Sequence, residues 1–323
     1  MKRLPVFLAA ALAALCLAAP VVAADYPTRP LKLIVPYPPG AGTDAVSRLV
    51  ADRLAARLGQ PVVVENRVGA DGNIGTDAMA KAAPDGYTLG VATPGPVAVG
   101  KSLYPNLPYD PVRDLVPVIR LNEAPVVLLV HPAVPAKSVA ELIAFAKANP
   151  GKLNAAIAAN GSMNHLVTEL FKHDAGVNIV SIPYKGGAPA TQDVLGGRVE
   201  VLFISVSSVV PQVEAGKLRA LAVAAPARSP FLPGVPTMAE AGLPNVVGSQ
   251  WNGIVVPAGT PQPIVDKLNT EMQAILADPD MKERFAKLGM TPIGGSAQSF
   301  GDFVKVEQPK WAGVIKSAGI KAE

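Results

Sequence analysis

Short apolar runs alternate with amphipathic stretches along this chain, and glycine and proline punctuate the joins. The run 31–35 reads as a strand followed by a Pro/Gly loop. Val46, Leu49, Val50, Leu54 and Leu58 then share one face of a helix that Gly59 ends. Strands are predicted at 61–65 and 87–92, with a helix at 74–82 between them. The pattern resumes with a strand at 126–130. Ser138, with Glu141 three residues on, forms a capping box for a helix to about 148. Strands at 152–158, 179–184, 199–204 and 218–224 follow, interleaved with helices at 164–174 and 189–195, and Thr237 with Glu240 repeats the capping box. A strand at 251–256 precedes Thr260-Pro261, where proline suits a first helical turn. Helix is expected over much of the remainder to 318.

Strand–helix alternation of this kind predicts an α/β fold with parallel sheets and right-handed crossovers. Two such series, with a late strand returning to the first, predict two lobes joined by crossing strands. The expected division is a first domain from 25–124 plus 251–323 and a second from 125–250. In open α/β sheets, ligands bind beyond the carboxyl ends of strands, where loops lead into helix N-termini.

The first residues change the compartment. Lys2 and Arg3 precede an apolar run, and Val22-Ala23-Ala24 offers small residues for cleavage, so 1–24 reads as a secretory signal. About 14 residues separate Pro5 from Pro20, short of the roughly 20 a spanning helix needs. Cys16 lies inside this run and is the only cysteine, so the processed chain is expected to have neither disulfide nor thiol nucleophile. The chain has 29 basic and 25 acidic residues; loss of Lys2 and Arg3 leaves a net charge of about +2. No basic block or basic–aromatic stripe is present, so a nucleic-acid partner is not expected.

Three strand-to-helix loops are candidates for chemistry. The first is Pro36-Tyr37-Pro38-Pro39-Gly40-Ala41-Gly42-Thr43-Asp44. Its glycines allow close backbone approach, and the helix behind it presents free N–H groups and about half a positive charge to an anion. Thr43 or Asp44 could instead cap that helix. The loop matches neither GxxxxGK[ST] nor GxGxxG, which argues against a nucleotide. The second, Asn160-Gly161-Ser162-Met163-Asn164-His165, offers a Ser162 hydroxyl that either meets a carboxylate or caps its helix; His165 reads as structural. The third runs from Tyr184 to Pro189. No HExxH, GxSxG or CxxC motif occurs, and three histidines far apart make a zinc site improbable. No catalytic residue, metal or cofactor is expected.

At these loops the sequence resembles the tripartite tricarboxylate transporter substrate-binding proteins, the Bug family of periplasmic receptors. The likeness rests on Thr43-Asp44, Pro84-Asp85-Gly86-Tyr87, Ile182-Pro183-Tyr184-Lys185-Gly186-Gly187, the stretch 215–223, the stretch 235–242, and Pro257-Ala258-Gly259-Thr260-Pro261. The resemblance implies a two-domain periplasmic-binding-protein fold of the Venus-flytrap kind, type II-like, with a small carboxylate held in the cleft between the lobes. It implies ligand contacts from Tyr37, Pro38, Gly40, Gly42, Thr43, Asp44 and Thr93 on one lobe. Gly161, Ser162, His165, Tyr184 and Ser205 would serve on the other. It further implies a periplasmic monomer that hands its ligand to membrane permease subunits; a signalling receptor facing a sensor protein and an enzyme on the same fold are the alternatives. Two departures stand out. Ala41 follows Gly40 where the family has a second glycine, and Ile204-Ser205 replace an acid and an amide. The second departure predicts a ligand without an ammonium group.

Overall fold

The computed structural model describes residues 26–321; the predicted signal and its cleavage site lie outside the described residues. One hydrogen-bonded path joins eight strands in the order β2-β1-β3-β9-β4-β7-β5-β6, with β8 and β10 paired to β4. The strands are β1 Leu31–Val35, β2 Val62–Asn66, β3 Thr88–Ala92, β4 Leu115–Val130, β5 Asn154–Ile157, β6 Val180–Pro183, β7 Val201–Ser205, β8 Arg219–Val223, β9 Ser249–Pro257 and β10 Thr291–Gly294. The helices that matter to the cleft are α1 Gly42–Leu58, α2 Asn73–Ala80, α3 Gly100–Leu103, α4 Val139–Ala148, α5 Met163–Ala175 and α6 Gly187–Leu195. After the short α7 Val210–Glu214, the chain closes with α8 Gln262–Ala277, α9 Pro279–Lys287 and α10 Ala297–Ala318.

Two lobes meet along β4. Its first part, from Leu115 to Pro125, pairs with β9 from Pro257 to Ser249, and its last five residues pair with β7. The strand is 16 residues long and apolar at most positions, so it is buried almost throughout its length. The sequence reading found only its second part. Pro117 and Pro125, together with Arg120, Asn122 and Glu123, broke the apolar run and hid the first. The β1–β2, β1–β3, β5–β6 and β5–β7 pairs are parallel as expected, but every pair that β4 or β9 makes is antiparallel. The sheets are therefore mixed. The cause is that the chain crosses between lobes on neighbouring strands that run in opposite directions.

The first lobe has a core of its own, and a larger cluster runs through both lobes. Leu31, Leu33 and Val35 of β1 pack with Val46, Val50 and Leu54 of α1 and Leu268 and Met272 of α8. In the second lobe, Phe171 of α5 stacks obliquely on Phe203 of β7, with ring centroids 5.4 Å apart. Trp251 and Trp311 are fully buried in the same cluster, which reaches back to Phe300 of α10. Each large aromatic so buried contributes roughly 1.5–3 kcal/mol of apolar transfer energy. Helix fills most of the chain from 262 to 318 as expected, interrupted by β10, around which Gly289 and Gly294 take left-handed backbone. The Thr237–Glu240 capping box forms in both directions yet caps only a single turn.

Candidate ligand-binding site

Between the lobes lies a cavity of about 320 Å³. Tyr37, Gly42, Thr43 and Thr93 line it from the first lobe, and Gly161, Ser162 and Ser205 from the second. Its floor is the pair of crossing strands, which contribute Asn122, Ala124, Gln250, Trp251 and Asn252. A larger concavity of about 420 Å³ lies beside β4, α8 and α10 on the first lobe alone, and none of the side chains lining it carries an unpartnered buried polar atom.

The first rim is the N-terminus of α1. Ala41 occupies the cap position in extended conformation and has no side chain with which to accept a hydrogen bond. The amides of the first turn therefore stay uncapped where Gly42 and Thr43 face the cavity. Asp44 does not line the cavity; it lies behind the loop and is almost fully buried. Its carboxylate accepts the Gly40 N–H at 2.9 Å, Arg48 Nε at 3.0 Å and Asn66 Nδ2 at 2.8 Å. Burial would raise this carboxyl, but the hydrogen bonds from Arg48, Asn66 and Gly40 prevail and it falls to about 2. Asn66 Nδ2 also donates to the Tyr37 carbonyl at 2.9 Å, so the loop from Tyr37 to Gly42 is held from beneath. Tyr37 and Thr93 share a hydroxyl contact at 3.3 Å, and burial pushes the Tyr37 phenol well above its ordinary range. Pro38 and Gly40 lie outside the cavity lining, where Gly40 supplies the left-handed turn that Asp44 grips.

The second rim is the N-terminus of α5, and here the cap is filled. Ser162 Oγ accepts from the His165 N–H at 3.4 Å and donates to the Ala159 carbonyl at 2.7 Å. Of the two roles read from the sequence, the structure shows the cap. His165 lies behind the loop, where its Nδ1 accepts the Gly161 N–H at 3.1 Å. The ring proton is thereby on Nε2, which faces Glu169 Oε1 at 3.5 Å. Burial would raise the Glu169 carboxyl, but His165, Lys172 and Ser181 hold it at about 2. Tyr184 also lies off the cavity and donates to Asp193 at 2.8 Å.

Several lining groups escaped the sequence reading, among them Asn122, Asn252, Gln250, Ser207 and Asp71. Asn122 and Asn252 face each other across β4 and β9, with Asn252 Nδ2 donating to Asn122 Oδ1 at 3.1 Å. Asn252 Oδ1 and the Trp251 indole N–H are buried without a partner among the described residues. Amides within two apolar strands were the available signal. Asp71 stands in Gly69-Ala70-Asp71-Gly72, a strand–glycine–helix loop of the same kind as the three chosen.

The lobes also touch at glycines. A Cβ on Gly289 would lie 2.5 Å from Ser207 Cβ, and one on Gly161 would lie 2.3 Å from Leu103 Cδ2. Both glycines have left-handed backbone, so each join admits no ordinary side chain without displacement or strain.

Comparison with known proteins supplies the lineage. Residues 46–320 match the tripartite tricarboxylate transporter family receptor. The chain is 44% identical to protein BugT of Bordetella pertussis over 99% of both chains. Among solved structures it resembles R. palustris Rpa4515 with adipate, at 40% identity and TM-score 0.79 over 92% of this chain and 99% of that one. It also resembles MatC from Rhodopseudomonas palustris with bound malate, at 34% identity and TM-score 0.75 over 90% and 100%. The expected resemblance and the two-lobed fold stand, and the chain belongs to the tripartite tricarboxylate transporter receptor family.

Proposed function

We propose that this chain is a periplasmic receptor that binds a small carboxylate in the interlobe cavity and delivers it to a tripartite-type membrane permease. The observation that carries the reading is the uncapped N-terminus of α1, whose open amides face a cavity of small-molecule size. Each hydrogen bond to a charged group contributes roughly 1.5–3 kcal/mol, and micromolar binding needs about 8 kcal/mol. Three or four such bonds suffice without an arginine. Tyr37, Gly42, Thr43, Thr93, Gly161, Ser162 and Ser205 form the ligand shell, while Gly40, Asp44 and His165 hold its loops from behind. No helix among the described residues is long and apolar enough to cross a membrane, which agrees with a receptor working beside its permease.

The test is the melting temperature of the purified protein against a panel of mono- and dicarboxylates. At 100 times its dissociation constant, a true ligand stabilises the fold by about 2.7 kcal/mol, a rise of several degrees for a chain of this size. A rise with one or a few acids supports the proposal. No rise with any carboxylate, in protein free of co-purified ligand, overturns it.

A further inference from the structure

On the reading that the interlobe cavity is the carboxylate site, its own charge constrains the ligand further. Among the described residues, Asp71 is the only charged one that lines it. The Asp71 side chain is open to the solvent of the cleft, and among the described residues it has no hydrogen bond or ion pair to its carboxylate. The protein around it raises the carboxyl above the usual range by desolvation. The titratable groups that register its charge are the phenols of Tyr37, Tyr104 and Tyr109, which bring no positive charge.

The backbone bears on the residue choice as well. Asp71 sits at φ 50 and ψ 38, in the left-handed region, and Gly69, Ala70 and Gly72 beside it also have positive φ. Glycine holds such backbone with least strain, and aspartate is one of the few other residues that tolerate it, so the turn itself accounts for an Asp at this position but not for a carboxylate left unpaired in the cavity wall. Gly95 opposite leaves room for it: a Cβ there would lie 2.9 Å from Asp71 Oδ2 and 3.5 Å from the Tyr37 hydroxyl.

Charge accounting then decides between ligand classes. Two helix N-termini present about half a positive charge each, and Asp71 presents a full negative one. The cavity is close to neutral overall but polarised. A dianion would be attracted at the helix ends and repelled at Asp71. A zwitterion finds a complementary charge at both. We propose that the ligand carries an ammonium group as well as its carboxylate, and that Asp71 is the specificity residue that receives the ammonium. The expectation of a ligand without an ammonium rested on the missing acid at Ile204-Ser205; Asp71 supplies that acid from the other lobe.

Calorimetric titration of the protein with matched pairs tests this: aspartate against succinate, and 6-aminohexanoate against adipate, in the wild type and in Asp71→Asn. The expected result is that at least one ammonium-bearing acid binds about tenfold or more tighter than its plain partner, and that Asp71→Asn abolishes the preference. Asp71→Asn removes no hydrogen bond within the fold, and an unchanged melting temperature without ligand checks that it folds. Tighter binding of the plain acids, in an order that Asp71→Asn leaves unchanged, overturns the Asp71 assignment while leaving the carboxylate receptor standing. Binding of neither class overturns both.

Discussion

The two rims of the cleft solve one mechanical problem in different ways. Each is a glycine loop leading into a helix, and each is tied down by a carboxylate within the helix. On the first lobe Asp44 grips the Gly40 amide directly. On the second, Glu169 acts through His165, whose other nitrogen takes the Gly161 amide. The tether is similar, but the cap differs: Ala41 leaves the amides of α1 free, whereas Ser162 uses its hydroxyl within its own loop. Ser162 thus satisfies one first-turn amide of α5, whereas no side chain caps α1.

The largest expected effect is on the shared tether. Asp44 and Glu169 both titrate at about 2 in the fold, against ordinary values of 3.8 and 4.5. Folded values below the unfolded ones contribute stability above pH ~5, and that stability is lost as pH falls towards 2. Each is expected to contribute on the order of 2 kcal/mol after solvent screening. Denaturant titration from pH 6 to 2.5 measures it, and Asp44→Asn should flatten the curve. A curve unchanged by that variant would remove Asp44 from its role.

Gly42→Pro separates the two rims by affinity. Proline is tolerated at the first helical position, and extended Ala41 suits the residue before it. The substitution deletes one open amide, so ligand affinity should fall by roughly 1.5–3 kcal/mol with little change in the melting temperature of the free protein. Unchanged affinity would mean that α1 does not bind the ligand.

Gly289→Ala tests whether the join between the lobes matters. The new methyl group meets Ser207 backbone at 2.6 Å, where no flexible side chain can yield. Closure should weaken by about 1–3 kcal/mol, read as a faster ligand off-rate in stopped flow. The smallest effect belongs to Ser162→Ala, which should lower stability by about 1 kcal/mol through loss of the cap. Affinity should change less than it does in Gly42→Pro; a larger loss would return Ser162 to direct ligand contact.

Much of this was legible in the sequence because strand–glycine–helix punctuation is a local signal. Gly40, Gly42, Gly161 and Ser162 mark the rims without any knowledge of the fold. What local pattern could not say was which side chains face the cavity. Asp44 and Thr43 are neighbours in the chain, yet one turns behind the loop and the other lines the cleft. Asn122 and Asn252 meet only because strands 130 residues apart pair in register. Asp71 was readable by the same rule that chose the other three loops.

The crossing strands also set an order of manufacture. The second lobe draws β5 to β8 from one continuous stretch of chain, and its sheet can be completed once Val223 has emerged. The first lobe begins earlier, at Leu31, but lacks β9, β10 and α10 until nearly the whole chain is available. Until then the β3 edge has no partner at the position β9 will fill, and an exposed strand edge invites pairing with other chains. The lobe that starts first is finished last, so its early strands must be kept from association until the C-terminal segment arrives.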